Sequence, residues 1–136
     1  MAQQSANTRF INPETLPKPP GYTQLVEVTG GRTVFISGQI ALDASGTLVG
    51  RDDFRAQAQQ VFENLKAALA AVGADFTHVI KLNMYVLDIS QLPILRAVRD
   101  RYVNIQQPPA STLVEVRKLA LEELLLEIEA VAHLSE

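Results

Sequence analysis

Cysteine and tryptophan are absent from the chain, and histidine occurs only twice, as His78 and His133. Without cysteine the chain has no disulfide bond, no thiolate nucleophile and no cysteine-ligated zinc or iron–sulfur cluster. Two histidines are too few for a three-histidine metal site within one chain, and no helical pattern carries a pair of them at ligand spacing. We therefore expect chemistry that depends on oxygen and nitrogen groups, without a bound metal ion.

Long apolar runs and an excess of positive charge are missing as well. Glu123, Glu127 and Glu129 interrupt the most apolar stretch, and no run approaches the roughly 18 apolar residues of a membrane span. The first residues lack the hydrophobic segment of a secretory signal, which favours a soluble, cytoplasmic protein. The net charge of −3 disfavours a nucleic-acid partner, because phosphate contacts need a basic surface. Small molecules or other proteins are the expected partners, rather than a membrane or a nucleic acid.

The length and composition suit one globular domain over residues 1–136, of which 47% are hydrophobic. The proline-rich segment 1–21 predicts an irregular lead-in with a short edge strand around Phe10–Ile11. Gly30-Gly31 supplies the positive φ values of a tight turn. This pair therefore predicts a β-hairpin between the β-rich runs Thr23–Thr29 and Thr33–Ile40.

Two helices are predicted by apolar residues spaced three and four apart. The first covers residues 52–72, with Asp52 or Asp53 as its N-cap and Gly73 at its end, and the second covers Gln91–Ile105. Short or alternating β-rich runs predict the remaining strands at Val79–Leu87, Thr112–Val116 and Leu124–His133. The order β-β-α-β-α-β-β predicts a two-layer α+β fold, with both helices on one face of a mixed sheet.

The two faces of this sheet are expected to differ in character. An entirely apolar set is predicted to face the helices: Val34, Ile36, Ile80, Leu82, Met84, Leu126, Ile128 and Ala130. The open face is predicted to mix apolar and charged side chains: Phe35, Ser37, Gln39, Lys81, Asn83, Tyr85, Leu113, Glu115, Leu125, Glu127 and Glu129. Such a face is too apolar for free solvent and too charged for a monomer's core, so we expect it to pack against other subunits.

Glu127 and Glu129, two residues apart on one strand face, are candidates for chemistry. A partly buried carboxylate there can transfer a proton or hold a water molecule, although paired glutamates on a strand also occur as a solvated face. Arg96 and Arg99 share a helix face, which by itself is typical of a solvated surface. Ser37 lacks the flanking glycine of a nucleophile elbow, and no glycine cluster precedes a helix and a lysine. These absences disfavour a serine hydrolase and a nucleotide site.

Several segments, taken in order, resemble the RidA/YjgF family of small trimeric proteins. They are Gly21-Tyr22, Phe35-Ile36-Ser37-Gly38-Gln39-Ile40, Asn64-Leu65, Val79–Val86 with Asp88, Arg101-Tyr102, Pro109–Val116 and Leu126–Ala132. The resemblance implies a chorismate-mutase-like fold, a homotrimer packed sheet to sheet, and three ligand clefts between neighbouring subunits. It also implies a hydrolase that converts reactive imines and enamines, such as 2-aminoacrylate, to 2-keto acids and ammonia. Such an enzyme resembles a 2-iminobutanoate/2-iminopropanoate deaminase and uses no metal or cofactor.

The same resemblance implies roles for individual residues. Glu127 matches the catalytic glutamate that is thought to hold the attacking water. The family's deaminases have an arginine that grips the substrate carboxylate at the position of Ser111, so the chain resembles a branch that lacks the catalytic arginine. We hypothesise that the long side chain of Arg99 reaches into the space that Ser111 leaves. The substrate-binding set is then Tyr22, Ser37, Arg99, Ser111 and Leu113.

Three functional hypotheses follow. The first is a cofactor-free hydrolase or deaminase that acts on a reactive imine, an enamine or a related small metabolite. The second is a trimer that binds a metabolite without catalysis. The third is the endoribonuclease activity once attached to the family, which the acidic balance of the chain disfavours. The first hypothesis is preferred.

Overall fold

The computed structural model describes residues 7–136. Residues 1–6, the beginning of the predicted lead-in and of the segment examined for a secretory signal, lie outside the described residues. Six strands are present: β1 Thr8–Ile11, β2 Leu25–Val28, β3 Arg32–Gln39, β4 Val79–Val86, β5 Ala110–Glu115 and β6 Leu126–Leu134. Two α-helices, α1 Phe54–Ala70 and α2 Leu92–Arg99, separate β3 from β4 and β4 from β5.

The main sheet has four strands in the order β3-β6-β4-β5. Strand β6 is antiparallel to both of its neighbours, whereas β5 is parallel to β4. Side chains from both helices join alternate residues of these strands in one apolar core. The predicted α+β class and the placement of both helices on one face of a mixed sheet are therefore confirmed. No helix within residues 7–136 has the length and apolar character needed to span a bilayer.

The predicted hairpin at Gly30-Gly31 is wrong. Strand β2 pairs with β1 in a separate two-stranded ribbon, with Thr8 opposite Val28, and β3 pairs with β6. Gly30 and Gly31 do have the expected positive φ values, 61° and 70°. A β-carbon on Gly31 would lie 2.2 Å from the carbonyl oxygen of Leu134, so this turn packs on the end of β6. The turn thus leads the chain from one sheet to the other. The short edge strand predicted around Phe10–Ile11 is present as β1.

Helix α1 follows the predicted pattern closely. Asp53 is the N-cap and accepts a hydrogen bond from the backbone N–H of Ala56, while Gly73 has a φ of 74° just beyond the helix. Helix α2 ends at Arg99 and is shorter than predicted. Beyond it, the backbone N–H groups of Arg101 and Tyr102 bond to carbonyls three residues back and not four, so the α-helical pattern stops. Residue Ile105, expected on the apolar stripe, is 64% exposed.

Several strand positions differ from the predicted face assignment. Gln39, expected on the open face, lies opposite the core residue Ile128 and therefore on the helix-facing side. A register shift between Val79 and Lys81 makes Ile80 the irregular residue, so Val79 takes its place in the core. On β5, Leu113 lies opposite Met84 and packs against the core, so it faces the helices rather than the open face. Glu115 shares that side because alternate residues of a strand share a face. Thr112 and Val114 occupy the open face instead.

Candidate functional site

A β-bulge in β3 shapes the surroundings of Glu127. Ile36 lies opposite Ala130 and Gln39 lies opposite Ile128, so two residues of β3 face a single residue of β6. A β-carbon on Gly38 would lie 2.0 Å from Oε2 of Glu127 and 2.8 Å from its Cδ. The Glu127 carboxylate therefore lies directly on the Gly38 backbone, in space that any side chain at position 38 would occupy.

The two glutamates of β6 have different surroundings. Glu129 lies opposite Asn83, whose Nδ2 donates a hydrogen bond of 3.0 Å to Oε2 of Glu129. Glu127 lies opposite Tyr85, is half-buried, and has no hydrogen-bond or ion-pair partner among residues 7–136. Its oxygens are therefore available to accept hydrogen bonds from a water molecule or a ligand. The exposed Ser37 lies in the same bulge, on the open face of the sheet.

A second group of predicted residues meets at the beginning of β5. The backbone N–H of Thr23 donates to the carbonyl oxygen of Pro109 over 3.1 Å, and Thr23 bridges to Ala110. These contacts hold Tyr22 near Pro109 and Ala110, at the beginning of β5, the strand that also carries Ser111. Ser111 lies opposite Leu82, and it is half-buried on the helix-facing side.

Arg99 completes this second group from the end of α2. A β-carbon on Gly21 would lie 3.2 Å from Nη2 of Arg99, so the guanidinium packs on the backbone next to Tyr22. Its Nε and Nη2 donate to Oδ1 of Asp100 over 3.0 Å and 2.9 Å. The Arg99 side chain is only 13% exposed. The position of the cation at a helix C-terminus is favourable for the helix dipole, and Asp100 balances its charge.

The two groups do not converge within one chain. Glu127 lies on the open face of β6, whereas Ser111 lies on the helix-facing side of β5, with β4 between these strands. The predicted substrate contact Leu113 shares the helix-facing side of β5 with Ser111 and packs against the core. A ligand that touches both groups therefore requires residues from two subunits.

Two neighbours of the predicted residues, Gly38 and Asp100, take part in the site without having been predicted to do so. Gly38 was named only within a segment that carries the family resemblance, although a glycine inside a strand is a signal for a bulge or a close approach. Asp100 was assigned no role. Adjacent residues do not face each other on a helix, but Asp100 is the C-cap of α2 and lies where the helix ends.

Both histidines have local structural roles. Nδ1 of His78 accepts a hydrogen bond of 3.0 Å from the backbone N–H of Asp75, and Nδ1 of His133 lies 3.0 Å from Oγ1 of Thr33. In the part of the chain that the structure describes, no three His, Asp or Glu side chains come together as a group that could hold a metal ion.

Comparisons with known proteins agree with this architecture. A family model described as endoribonuclease L-PSP matches residues 15–134. Protein DfrA of Myxococcus xanthus is 39% identical over 125 residues, which cover 91% of this chain and 94% of DfrA. A 2-iminobutanoate/2-iminopropanoate deaminase of Dermatophagoides farinae is 34% identical over 106 residues, which cover 77% of this chain and 81% of the deaminase.

A solved structure shares the fold as well as the sequence. It is YyfB from Yersinia pestis, described as a protein of unknown function of the conserved Rid protein family. The two structures agree with a TM-score of 0.82 and 41% sequence identity, over 94% of this chain and 99% of YyfB. The range matched by the family model includes both groups of predicted site residues.

Proposed function

The chain belongs to the endoribonuclease L-PSP family, to which the Rid proteins are related, and from that premise we propose that it is a cofactor-free hydrolase of reactive imines or enamines. The proposed site is a cleft between subunits of a cytoplasmic homotrimer. The single observation that carries this proposal is the Glu127 carboxylate, which lies on Gly38 without any hydrogen-bond partner in residues 7–136. The similarity to an imine deaminase supports the class of reaction.

Hydrolysis of an imine needs a water molecule and a group that accepts its proton. In the proposed reaction, Glu127 accepts a hydrogen bond from water and takes its proton as the water oxygen bonds to the imine carbon. The C=N double bond becomes a single bond as Glu127 passes this proton to the nitrogen, which gives a neutral carbinolamine. Glu127 then takes the hydroxyl proton and gives it to the nitrogen as the C–N bond breaks, which leaves a carbonyl compound and ammonia. No oxidant, metal or cofactor is needed for this balance.

A trimer is proposed because the two groups of site residues lie on different faces of the sheet. The open face carries Phe35, which is 79% exposed, together with Val114 at 40%. An exposed aromatic side chain of this kind is typical of a subunit interface. Packing this face against a neighbour would bring Glu127 of one subunit toward the Tyr22 and Ser111 group of the next.

The proposed enzyme differs from a plain 2-iminopropanoate deaminase at Ser111. A serine hydroxyl is neutral and offers one donor, whereas the arginine of the family's deaminases offers a fork of donors that matches a carboxylate. We expect the loss of such a clamp to cost about two to three orders of magnitude in the rate for carboxylate substrates. Substrates without a carboxylate should be affected much less.

The test is the release of ammonia from freshly generated imines, one set with a carboxylate and one set without. The wild-type protein should accelerate release over buffer, Glu127→Gln should abolish the acceleration, and Glu129→Gln should retain most of it. The Glu129 variant is the matched control, because the carboxylate of Glu129 already accepts a hydrogen bond from Asn83. No acceleration for either set would reject the hydrolase and favour the metabolite-binding trimer. Cleavage of RNA in a parallel assay would favour the nuclease instead.

A further inference from the structure

The guanidinium of Arg99, which packs on Gly21 next to Tyr22, already has an anionic partner. Its Nε and Nη2 both donate to the same carboxylate oxygen of Asp100, over 3.0 Å and 2.9 Å. The guanidinium is packed on Gly21, and the side chain is 13% exposed. An anionic ligand at this position would compete with Asp100 for the guanidinium and would lie close to a carboxylate of the same sign. The arrangement therefore disfavours anionic ligands.

A groove opens beside the same residues. It has a volume of about 740 Å³, in the range of small-molecule sites. We call it the Tyr22 groove; its lining is Asn12, Pro13, Glu14, Leu16, Pro17, Lys18, Pro19, Pro20, Gly21, Tyr22, Ile105 and Pro108. The prolines hold the backbone in a fixed shape and offer no N–H donor. Leu16 and Ile105 present exposed apolar side chains there, 44% and 64% exposed.

The charges of the Tyr22 groove balance each other. Glu14 and Lys18 are its two charged lining residues, and both are exposed. Arg99, against Gly21 at one end, is balanced by Asp100. Apolar walls with balanced charge suit an apolar, uncharged ligand better than an ion, because an ion loses hydration there without gaining an opposite partner.

We propose that the Tyr22 groove is the specificity pocket of the site and binds the apolar body of an uncharged substrate, such as an aromatic or branched group attached to a C=N or C=O carbon. This inference rests on the proposed function, since Tyr22, which lines the groove, directly precedes Thr23, and Thr23 pairs with the beginning of β5, where Ser111 lies. It assigns Arg99 to holding the Gly21–Tyr22 backbone, a positioning role, in place of the substrate contact expected from the sequence. Small carboxylate imines are then poor substrates.

Binding of three simple probes to the wild-type protein tests the pocket without turnover. Benzamide is neutral and has an apolar ring, benzoate has the same shape with a charge, and acetamide lacks the ring. Titration calorimetry or ligand-observed NMR should show benzamide binding at least about tenfold more tightly than either of the others. If benzoate binds as tightly as benzamide, for example through an ion pair with Lys18, the proposal is overturned. It is also overturned if benzamide does not bind up to its solubility limit.

Two substitutions locate the binding. Ile105→Asp should weaken benzamide at least about tenfold, while Ile89→Asp, at another exposed isoleucine outside the groove, should leave it unchanged. Asp100→Asn should free Arg99 and raise the affinity for benzoate at least about tenfold without changing that for benzamide. If Ile105→Asp does not fold by thermal unfolding, Ile105→Ser replaces it. Equal losses at Ile105 and Ile89, or unchanged benzoate binding in Asp100→Asn, contradict the proposal.

Benzamide binding can be measured independently of imine hydrolysis. Glu127→Gln should bind benzamide like the wild-type protein even though it hydrolyses no imine. If the protein binds benzamide in this pattern but hydrolyses no imine, the pocket is supported and the proposed reaction is rejected. If it hydrolyses imines but binds benzoate as tightly as benzamide, the reaction is supported and the pocket is rejected.

Discussion

The contact between Gly38 and Glu127 makes one substitution especially informative. In Gly38→Ala the new β-carbon would lie 2.0 Å from Oε2 of Glu127, whereas real contacts of a β-carbon are essentially never closer than 3.0 Å. The carboxylate must therefore move by about 1 Å or more, a displacement that can reduce a catalytic rate about 100-fold. We expect the turnover of imine hydrolysis to fall by roughly 10- to 100-fold.

The same substitution should leave the stability nearly unchanged. Gly38 does not have a positive φ, so alanine is compatible with its backbone, and the Glu127 side chain can rotate away. Reduced freedom of the unfolded chain contributes about 0.4–1 kcal/mol in favour of alanine, which offsets part of the crowding. Gly46→Ala is the matched control, because Gly46 has a φ of 82° and no neighbour within 4 Å. This control should lose about 1 kcal/mol of stability and keep its activity.

Steady-state ammonia release and urea unfolding, measured on both alanine variants, distinguish these effects. A folded Gly38→Ala protein with wild-type turnover would refute the reasoning.

Three further results are expected. Gln57→Leu should cost about 2–4 kcal/mol in urea unfolding, because its fully buried amide donates to two backbone carbonyls and accepts from the N–H of Leu125. Burial and the hydrogen bond to Glu63 raise the pKa of Tyr102 to about 12, above an ordinary value of 10.0. The free energy of unfolding that this pKa shift contributes is fully present below about pH 10 and is lost as the pH rises toward 12. Tyr102→Phe should therefore remove that pH dependence of the melting temperature. Phe35→Asp should convert the trimer to monomers in light scattering while changing monomer stability by only about 0.5 kcal/mol.

Each of these expectations has a clear contrary result. Unchanged stability in Gln57→Leu would mean that water or a rearranged backbone replaces the lost hydrogen bonds. An equally steep alkaline decline in Tyr102→Phe would assign the pH dependence to other groups. A trimer that survives Phe35→Asp, or a wild-type protein that is monomeric, would reject the open face as the subunit interface.

Features that depend on neighbouring residues in the chain were predictable. Helix α1 has local caps at Asp53 and Gly73 and a continuous apolar stripe, so its period and ends are encoded within one segment. Strand pairing is different, because the two strands that pair lie far apart in the sequence. Gly30-Gly31 carries the turn geometry of a hairpin, yet the pairing of β3 with β6 decides where the strand goes.

The same distinction applies to the site. The identity of Glu127 followed from a resemblance in sequence, but the freedom of its carboxylate depends on the β3 bulge and on Gly38, which only the paired strands reveal. The face of Leu113 was assigned wrongly because the β5 run is short and its parity is set by its register with β4. Arg99 and Asp100 are adjacent in sequence, but their ion pair depends on where α2 ends.

The central claim, that Glu127 hydrolyses imines in a cleft shared between subunits, is tested most directly by mixing two variants. Glu127→Gln and Tyr22→Ala should each be nearly inactive alone. When the two are unfolded together in urea and refolded as mixed trimers, about a quarter of the clefts should combine an intact Glu127 with an intact Tyr22 from a neighbour. Ammonia release should then return to about that fraction of the wild-type rate. A mixture no more active than its two components would contradict it.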